Sequence, residues 1–146
     1  MEELRAILEE TRTIAVVGLS PNPDRPSHDI AKYLQRQGYR IIPVNPTIET
    51  VLGERSYPDL LAIPFDIDVV QVFRRPEEVP LIVEQAIQIG AKVVWMQPGI
   101  VHEEAAATAR AAGLKVVMDR CMRATHRRVY GGGLEKGLDI PVDQKA

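Results

Sequence analysis

The chain has 146 residues, a formal net charge of −2 and an isoelectric point near 5.9. This length suits one domain whose core needs neither disulfides nor a structural metal. Because there is no basic excess, a protein that binds nucleic acid mainly through its phosphate backbone is disfavoured. The one cysteine, Cys121, excludes an intrachain disulfide, and the three histidines lack metal-ligand spacing. With no export signal and no apolar run of about 20 residues, we expect a soluble, cytoplasmic protein without a membrane anchor.

In chain order, the pattern of apolar residues predicts a leading helix at residues 2–10 that packs on the sheet edge, followed by alternating strands and helices. The strands are expected at about 13–18, 40–44, 67–73, 92–96 and 114–118. They are continuous apolar runs, as expected of parallel strands that are buried on both faces. Helices between such strands form right-handed crossovers. The sequence therefore predicts an α/β fold, a three-layer Rossmann-like doubly wound sheet of about five parallel strands.

One sequence pattern occurs three times. An amphipathic stretch is followed by a glycine, then by a basic residue two positions later, and then by a β-branched run. The copies are Gly38-Tyr39-Arg40-Ile41-Ile42, Gly90-Ala91-Lys92-Val93-Val94 and Gly113-Leu114-Lys115-Val116-Val117. Each indicates a helix that ends at its glycine and leads into a buried strand. Residues 45–64 form a longer connection with a short helix near 58–62. We expect a single domain over residues 1–146, in which residues 134–146 are a mobile tail.

The loop after the first strand has the residues of a phosphate site. In an open parallel sheet, ligands bind outside the carboxyl ends of the strands, where the strand order reverses. Gly18 allows close approach of a ligand, Ser20 and Ser27 offer hydroxyls, and the following helix start presents free N–H groups beside Arg25. The alternative is that Ser27 is an ordinary N-cap and that the prolines only shape a turn.

Two common nucleotide motifs are missing from this loop. The dinucleotide fingerprint keeps only its first glycine, Gly18, and no acidic residue closes the second strand, where Val44, Asn45 and Pro46 stand. The pattern Gly-Lys-Ser/Thr of a nucleoside triphosphate P-loop does not occur. A kinase, an ATPase and a standard NAD-dependent enzyme are therefore disfavoured.

Three later strand ends also carry candidate residues. Phe73 and Arg74 end the third strand and could flank an adenine ring and reach a phosphate, unless Phe73 is core and the arginines are solvated. Gln97-Pro98-Gly99 forms a tight turn after the fourth strand. Cys121 follows the fifth strand as either an inert or a reactive thiol. The basic run after it indicates an anionic ligand or a basic surface; it comprises Arg120, Arg123, His126, Arg127 and Arg128.

Together these stretches resemble the coenzyme A-binding domain family in its small stand-alone form. The resemblance rests on Ile14 to Ser20, Pro43 to Pro46, Val69 to Arg74 with Pro76, Trp95 to Gly99 and Asp119 to Cys121. The chain is also similar to the amino-terminal domain of the succinyl-CoA synthetase alpha subunit. It lacks the second domain that carries that enzyme's phosphorylated histidine, so ligase activity is not expected.

The resemblance implies a ligand, coenzyme A or an acyl-CoA, and a position for each of its parts. Gly18, Leu19 and Ser20 would lie at the phosphates, with Asn45 and Pro46 beside them. Val72, Phe73 and Arg74 would border the adenosine, and Gln97, Pro98 and Gly99 would line the path of the pantetheine. The thiol end could approach Cys121, while Arg25 and Ser27 are added from helix-terminus physics alone.

The sequence favours a binding protein without assigned catalysis or metal. One alternative is an acyl-transfer or thioester-hydrolysing enzyme that uses Cys121 as its nucleophile. Another is a redox or nucleotide sensor that responds to NAD. The expected partner is the small-molecule ligand, not nucleic acid or a membrane, and a protein partner or a homo-oligomer is left open.

Overall fold

The computed structural model describes residues 1–131, so the tail predicted at 134–146 lies outside the described residues. The helices are α1 (Glu2–Glu10), α2 (Pro26–Arg36), α3 (Val79–Gln88), α4 (Glu103–Ala111) and α5 (Met122–Tyr130). The strands are β1 (Thr13–Val17), β2 (Arg40–Val44), β3 (Thr50–Val51), β4 (Glu54–Arg55), β5 (Val69–Val72), β6 (Val93–Met96) and β7 (Lys115–Val117). Short 3-10 turns lie at Leu60–Ala62 and Pro76–Glu78.

Five of the strands form one parallel sheet in the order β2-β1-β5-β6-β7. The chain moves outward from β1 to β2 and then returns to the other side of β1, so the strand order reverses between β1 and β5. Backbone bonds hold the ends of these strands level: Gly18 N donates to Val44 O at 2.9 Å, and Phe73 N donates to Val17 O at 2.9 Å. The predicted Rossmann-like fold is confirmed, and its switch point lies beside Gly18 and Phe73.

Helices cover both faces of the sheet and bury a separate apolar cluster on each. On one face, α1, α2 and α5 enclose a cluster that includes Ile7, Leu34 and the fully buried Trp95. On the other face, α3 and α4 enclose a cluster built around Val70, Val83 and their neighbours. The alternation of side chains along each strand supplies both clusters, which explains why the strands are apolar throughout.

Three local features differ from the sequence prediction. The leading helix α1, expected at the sheet edge, packs against α5, and α5 itself was not predicted. The long connection at 45–64 contains the hairpin β3–β4, whose strands have two residues each. Strands this short give no periodic signal. The periodicity of apolar residues did not predict α5, because its buried face includes the polar residues Arg123, Thr125 and His126 beside Met122 and Val129.

A carboxylate ties the amino ends of the central strands together, opposite the switch point. Asp68 accepts hydrogen bonds from the amides of Arg12 at 2.9 Å and Thr13 at 3.1 Å, and Lys92 lies at 3.5 Å. Burial acts to raise the pKa of Asp68, but these two amides and the lysine outweigh it and hold the pKa below its usual value. Asp68 therefore stabilises the alignment of β1 with β5.

The outer edge of β2 is covered near its carboxyl end. Tyr57 N donates to Pro43 O at 3.0 Å, and Asn45 N donates to Tyr57 O at 2.9 Å. Pro43 itself has no N–H to offer at this edge.

Helices in the described part of the chain have at most 11 residues, whereas a bilayer-spanning helix needs about 20 apolar ones.

Candidate functional site

Two adjoining clefts open at the carboxyl edge of the sheet, on either side of the switch point. The polar cleft, of about 410 Å³, is lined by Gly18, Ser20, Arg25, Pro26, Ser27, Phe73 and Arg74. The apolar cleft, of about 400 Å³, is lined by Val17, Gly18, Val44, Pro46, Pro58, Asp59, Leu60, Arg74, Glu77, Glu78, Leu81, Ile82 and Gln85. Gly18 and Arg74 border both clefts, so together the clefts make one elongated site divided at these two residues.

Gly18 has no room for a side chain. Its φ is +93°, and a Cβ at this position would lie 2.5 Å from the carbonyl oxygen of Phe73 and 2.8 Å from Cδ of Arg74. Only glycine satisfies both the backbone angle and this contact. The chain can therefore turn sharply out of β1 while the loop after β5 lies directly against it.

The polar cleft is built around the start of α2. The Ser27 hydroxyl oxygen accepts a hydrogen bond from Ser20 N at 3.0 Å, and Ser20 O contacts Nδ1 of His28 at 3.0 Å. These bonds hold the loop after β1 on the first turn of the helix. Pro26 is the first helical residue and Arg25 is the N-cap, so Ser27 is not the N-cap that the alternative interpretation required.

Positive potential converges on the polar cleft from three sources. The amino end of α2 contributes the positive end of its dipole. Arg25 is exposed, and within residues 1–131 no carboxylate lies within 4.0 Å of its guanidinium. Arg74 forms the opposite wall. An anion with several oxygens, such as a phosphate, has the charge and the acceptors that these groups require.

Arg74 is held by the carboxylate of Glu78, four residues further along the chain. Its Nε donates to Oε1 of Glu78 at 2.9 Å, and its Nη2 lies 2.8 Å from the same oxygen. The hydrogen bond from Arg74 is the main reason that the pKa of Glu78 lies below its usual value. The side chains of Arg74 and Glu78 remain 43% and 31% exposed, so this is a surface ion pair that contributes little net stability.

The apolar cleft combines the ends of β1 and β2 with the connection after β4 and with α3. Its walls include Val44, Pro58, Leu60 and Leu81, and Leu81 is 61% exposed at the rim. Asp59 accepts a hydrogen bond from Ala62 N at 3.1 Å and thereby forms the 3-10 turn of this wall. This cleft was not predicted from the sequence, although Pro58 and Asp59 are a recognisable turn signal.

Not every residue predicted at the phosphates and the adenosine reaches a cleft. Pro46 lines the apolar cleft, whereas Asn45 links two loops by donating from Nδ2 to Leu19 O at 3.0 Å. The side chains of Leu19 and Val72 are fully buried in the core. These two residues shape the site from behind, because Val72 packs in the cluster under α3 and α4 and Leu19 packs in the cluster on the other face of the sheet.

The predicted pantetheine residues lie beyond the two clefts. Gln97 is buried, and its Oε1 accepts hydrogen bonds from Gln71 Nε2 and Met122 N, each at 3.1 Å, while its Nε2 has no partner within residues 1–131. Gly99 N donates to Asp119 Oδ1 at 2.7 Å, beside the exposed Pro98. This arrangement joins the turn after β6 to the start of α5.

Cys121 and two residues of the basic run after it make contacts within the fold. The Cys121 sulfur is buried and caps α5 by accepting from Ala124 N at 3.5 Å. Arg123 is buried and contacts Asp29 at 2.8 Å, and His126 is buried with its Nδ1 2.9 Å from the Tyr33 hydroxyl. These side chains join α5 to α2, so the run is not one continuous basic surface.

Comparison with known proteins identifies a family. The family model described as CoA binding domain matches residues 12–127. The uncharacterized protein YneT of Bacillus subtilis (strain 168) is 45% identical over 124 residues, which cover 85% of this chain and 92% of YneT. Acetate–CoA ligase [ADP-forming] I of Archaeoglobus fulgidus is 26% identical over 121 residues, which cover 76% of this chain but only 18% of the ligase.

Solved structures agree with the sequence matches. A hypothetical protein from Pyrococcus horikoshii OT3 superposes with a TM-score of 0.87 at 46% sequence identity, covering 89% of this chain and 92% of the other. The chain belongs to the CoA-binding domain family.

Proposed function

We propose that this protein binds coenzyme A or an acyl-CoA across the two clefts at the carboxyl edge of its sheet. The observation that carries the proposal is the pairing of an apolar cleft with a polar, cationic one at the switch point, where Gly18 and Arg74 border both. Ligand sites in such folds are concave, mostly apolar and supplied with a few polar groups that fix orientation. Membership of the family supports coenzyme A as the ligand.

Each part of coenzyme A has a chemically suitable place. The adenine ring is flat and apolar on its faces and fits between walls such as Pro46, Pro58 and Leu81. The phosphates suit the polar cleft, where Arg25 and the start of α2 supply positive charge. The pantetheine arm then runs toward the turn after β6, where Pro98 and Gly99 are exposed beside the buried Gln97.

Isothermal titration tests this assignment directly. The protein is titrated with coenzyme A, acetyl-CoA, NAD and ATP under one set of conditions. We expect coenzyme A or acetyl-CoA to bind with a dissociation constant below about 1 mM and more tightly than NAD or ATP. Absence of coenzyme A binding in this range refutes the proposal, and tighter binding of NAD than of coenzyme A in the same experiment favours a nucleotide sensor.

A pair of charge-matched variants locates the binding site. Arg25→Gln removes a cation from the polar cleft, whereas Arg110→Gln removes one from the exposed surface of α4. We expect Arg25→Gln to weaken coenzyme A binding by about tenfold, since a charge-assisted contact contributes roughly 1.5 kcal/mol. Arg110→Gln should leave the affinity unchanged. Equal effects of the two variants would show that only net charge matters.

A further inference from the structure

The side chain of Arg74 is the wall between the two clefts. Its aliphatic stem crosses directly over Gly18, because a Cβ built on Gly18 would lie 2.8 Å from Cδ of Arg74. Gly18 and Arg74 are the two residues that line both clefts. A ligand that occupies both clefts must therefore pass the point where this side chain now rests.

The position of Arg74 depends on one carboxylate. Two guanidinium nitrogens, Nε and Nη2, contact the same Oε1 of Glu78 at 2.9 Å and 2.8 Å. The other oxygen of Glu78 faces Nε of Arg75 at 3.5 Å. Glu78 thus draws Arg74 toward the rim of the apolar cleft and satisfies the donors that would otherwise bind an anion.

We propose that Glu78 is a latch on Arg74, and that a ligand phosphate binds by taking the place of this carboxylate. The inference rests on the proposed function and adds to it a positioning residue that selects for phosphate-bearing ligands. A phosphate presents more acceptor oxygens and more charge than a carboxylate, so it competes for the guanidinium fork. A nucleoside without phosphate has no anionic acceptor for the guanidinium of Arg74, so the ion pair between Arg74 and Glu78 stays in place.

The ion pair between Arg74 and Glu78 is weak, as its replacement by a ligand phosphate requires. Arg74 and Glu78 are both partly exposed, and pairs of this kind contribute little net stability. Because the loop from Phe73 is fixed against Gly18 by backbone contacts, the exchange needs only rotation of the Arg74 side chain. Release of Arg74 opens the passage between the clefts and brings its charge to the phosphates in one movement.

The test compares Glu78→Gln with Glu77→Gln by isothermal titration. Both variants remove one negative charge beside the apolar cleft, but Glu77 lies 3.9 Å from Arg75 and makes no contact with Arg74. The probes are coenzyme A, ADP, inorganic pyrophosphate and adenosine. We expect Glu78→Gln to tighten binding of the three phosphate probes by about threefold or more relative to Glu77→Gln, with adenosine unchanged.

A double variant shows whether the effect passes through Arg74. In Arg74→Gln/Glu78→Gln, the gain seen for Glu78→Gln over wild type should disappear, because the released group is no longer a cation. Equal affinities in Glu78→Gln and Glu77→Gln would overturn the latch, and so would weaker binding in Glu78→Gln. A gain that survives in the double variant would overturn it as well.

The outcomes separate the latch from the proposed function. If wild type binds coenzyme A but Glu78→Gln shows no specific gain, the latch fails and the function stands. If wild type fails to bind coenzyme A while pyrophosphate binding still improves in Glu78→Gln, the function fails and the latch stands. If neither protein binds any of the four probes, both proposals are wrong.

Discussion

At the scale of single residues, the site is arranged around Gly18. Its φ of +93° and its contact with the Phe73 carbonyl bring the loops after β1 and β5 together. Residues far apart in the sequence, such as Ser27 and Arg74, thereby line one cleft. The glycine fixes where the cleft is, and the side chains around it decide what the cleft attracts.

Replacement of Gly18 by alanine should lower both stability and ligand affinity. The change adds a positive-φ penalty of about 1 kcal/mol and a steric clash of comparable or larger size. Gly113→Ala is the matched control, since Gly113 has a φ of +95° and, chain neighbours aside, no atom of the described residues lies within 4 Å of the added carbon. Thermal melts should show a larger loss for Gly18→Ala. Equal losses would mean that the Phe73 contact is relieved at no cost.

Part of the candidate site could be predicted from the sequence, and part could not. Gly18, Ser20, Arg25, Ser27, Phe73 and Arg74 were predicted together and do line one cleft, because carboxyl ends of parallel strands meet at one edge. Leu19 and Val72 were predicted too, but their side chains point into the core. Glu78 was missed because its pairing with Arg74 depends on the path of the loop between β5 and α3, and a surface ion pair does not by itself signal a function.

At the scale of elements, the alignment of β1 with β5 is secured from the end opposite the site. Asp68 accepts the amides of Arg12 and Thr13 and faces Lys92. Its pKa is depressed in the folded state, so its contribution to stability is fully present above the unfolded pKa near 3.9 and is lost as the pH falls below it. Neutral pH therefore retains the full contribution.

Asp68→Asn should destabilise the protein by about 1–3 kcal/mol at pH 7, because an amide is a weaker acceptor for two backbone N–H groups than a carboxylate. Chemical denaturation at pH 7 measures this loss. Coenzyme A affinity should be unchanged, since Asp68 lies at the amino edge of the sheet. A variant as stable as wild type would show that the carboxylate charge is dispensable there.

Helix α5 carries a second titratable contact. Burial lowers the pKa of His126, and the charge of Arg127 lowers it further, so the folded protein favours the neutral ring. The ring packs against Tyr33 and Tyr130, with its centroid 4.6 Å from that of Tyr130. A protonated imidazole is more stable in the unfolded chain, which makes α5 the acid-sensitive element on its face of the sheet.

Acidification should therefore lower the melting temperature through His126. Stability is fully present above about pH 6.5, the unfolded pKa, and declines as the pH falls toward the lower folded value. Melts at pH 7.5 and pH 5.5 should show a smaller drop for His126→Gln than for wild type. Because His28 and His102 remain in both proteins, an identical drop would assign the acid sensitivity elsewhere.

At the scale of the whole molecule, the layered fold was predictable from the sequence, whereas helix α5 and the apolar cleft were not. The glycine that ends a helix before each of β2, β6 and β7 marks the repeating unit, and continuous apolar runs mark buried parallel strands. α5 was hidden because Arg123 and His126 occupy buried positions. The apolar cleft was hidden because Pro58 and Leu81 come from separate segments that only the folded chain brings together.

Ligand binding should stabilise the whole domain. At 100 times its dissociation constant, a ligand that binds only the folded state adds about 2.7 kcal/mol. For a protein of this size we expect coenzyme A to raise the melting temperature by roughly 5–10 °C. Adenosine at the same concentration should raise it less, because it leaves the polar cleft without an anion. No shift at a concentration that saturates titration would contradict a site formed only by the folded chain.

The covered edge of β2 bears on how copies of this chain can meet. An open parallel sheet offers rows of backbone donors and acceptors at its borders, and such borders promote aggregation by strand addition. Pro43 removes a donor from this border, and Tyr57 already occupies the acceptor beside it. β7, at the other border, has only three residues and begins with Lys115. Self-association through a continuous intermolecular sheet is therefore disfavoured, and assemblies should use helical surfaces.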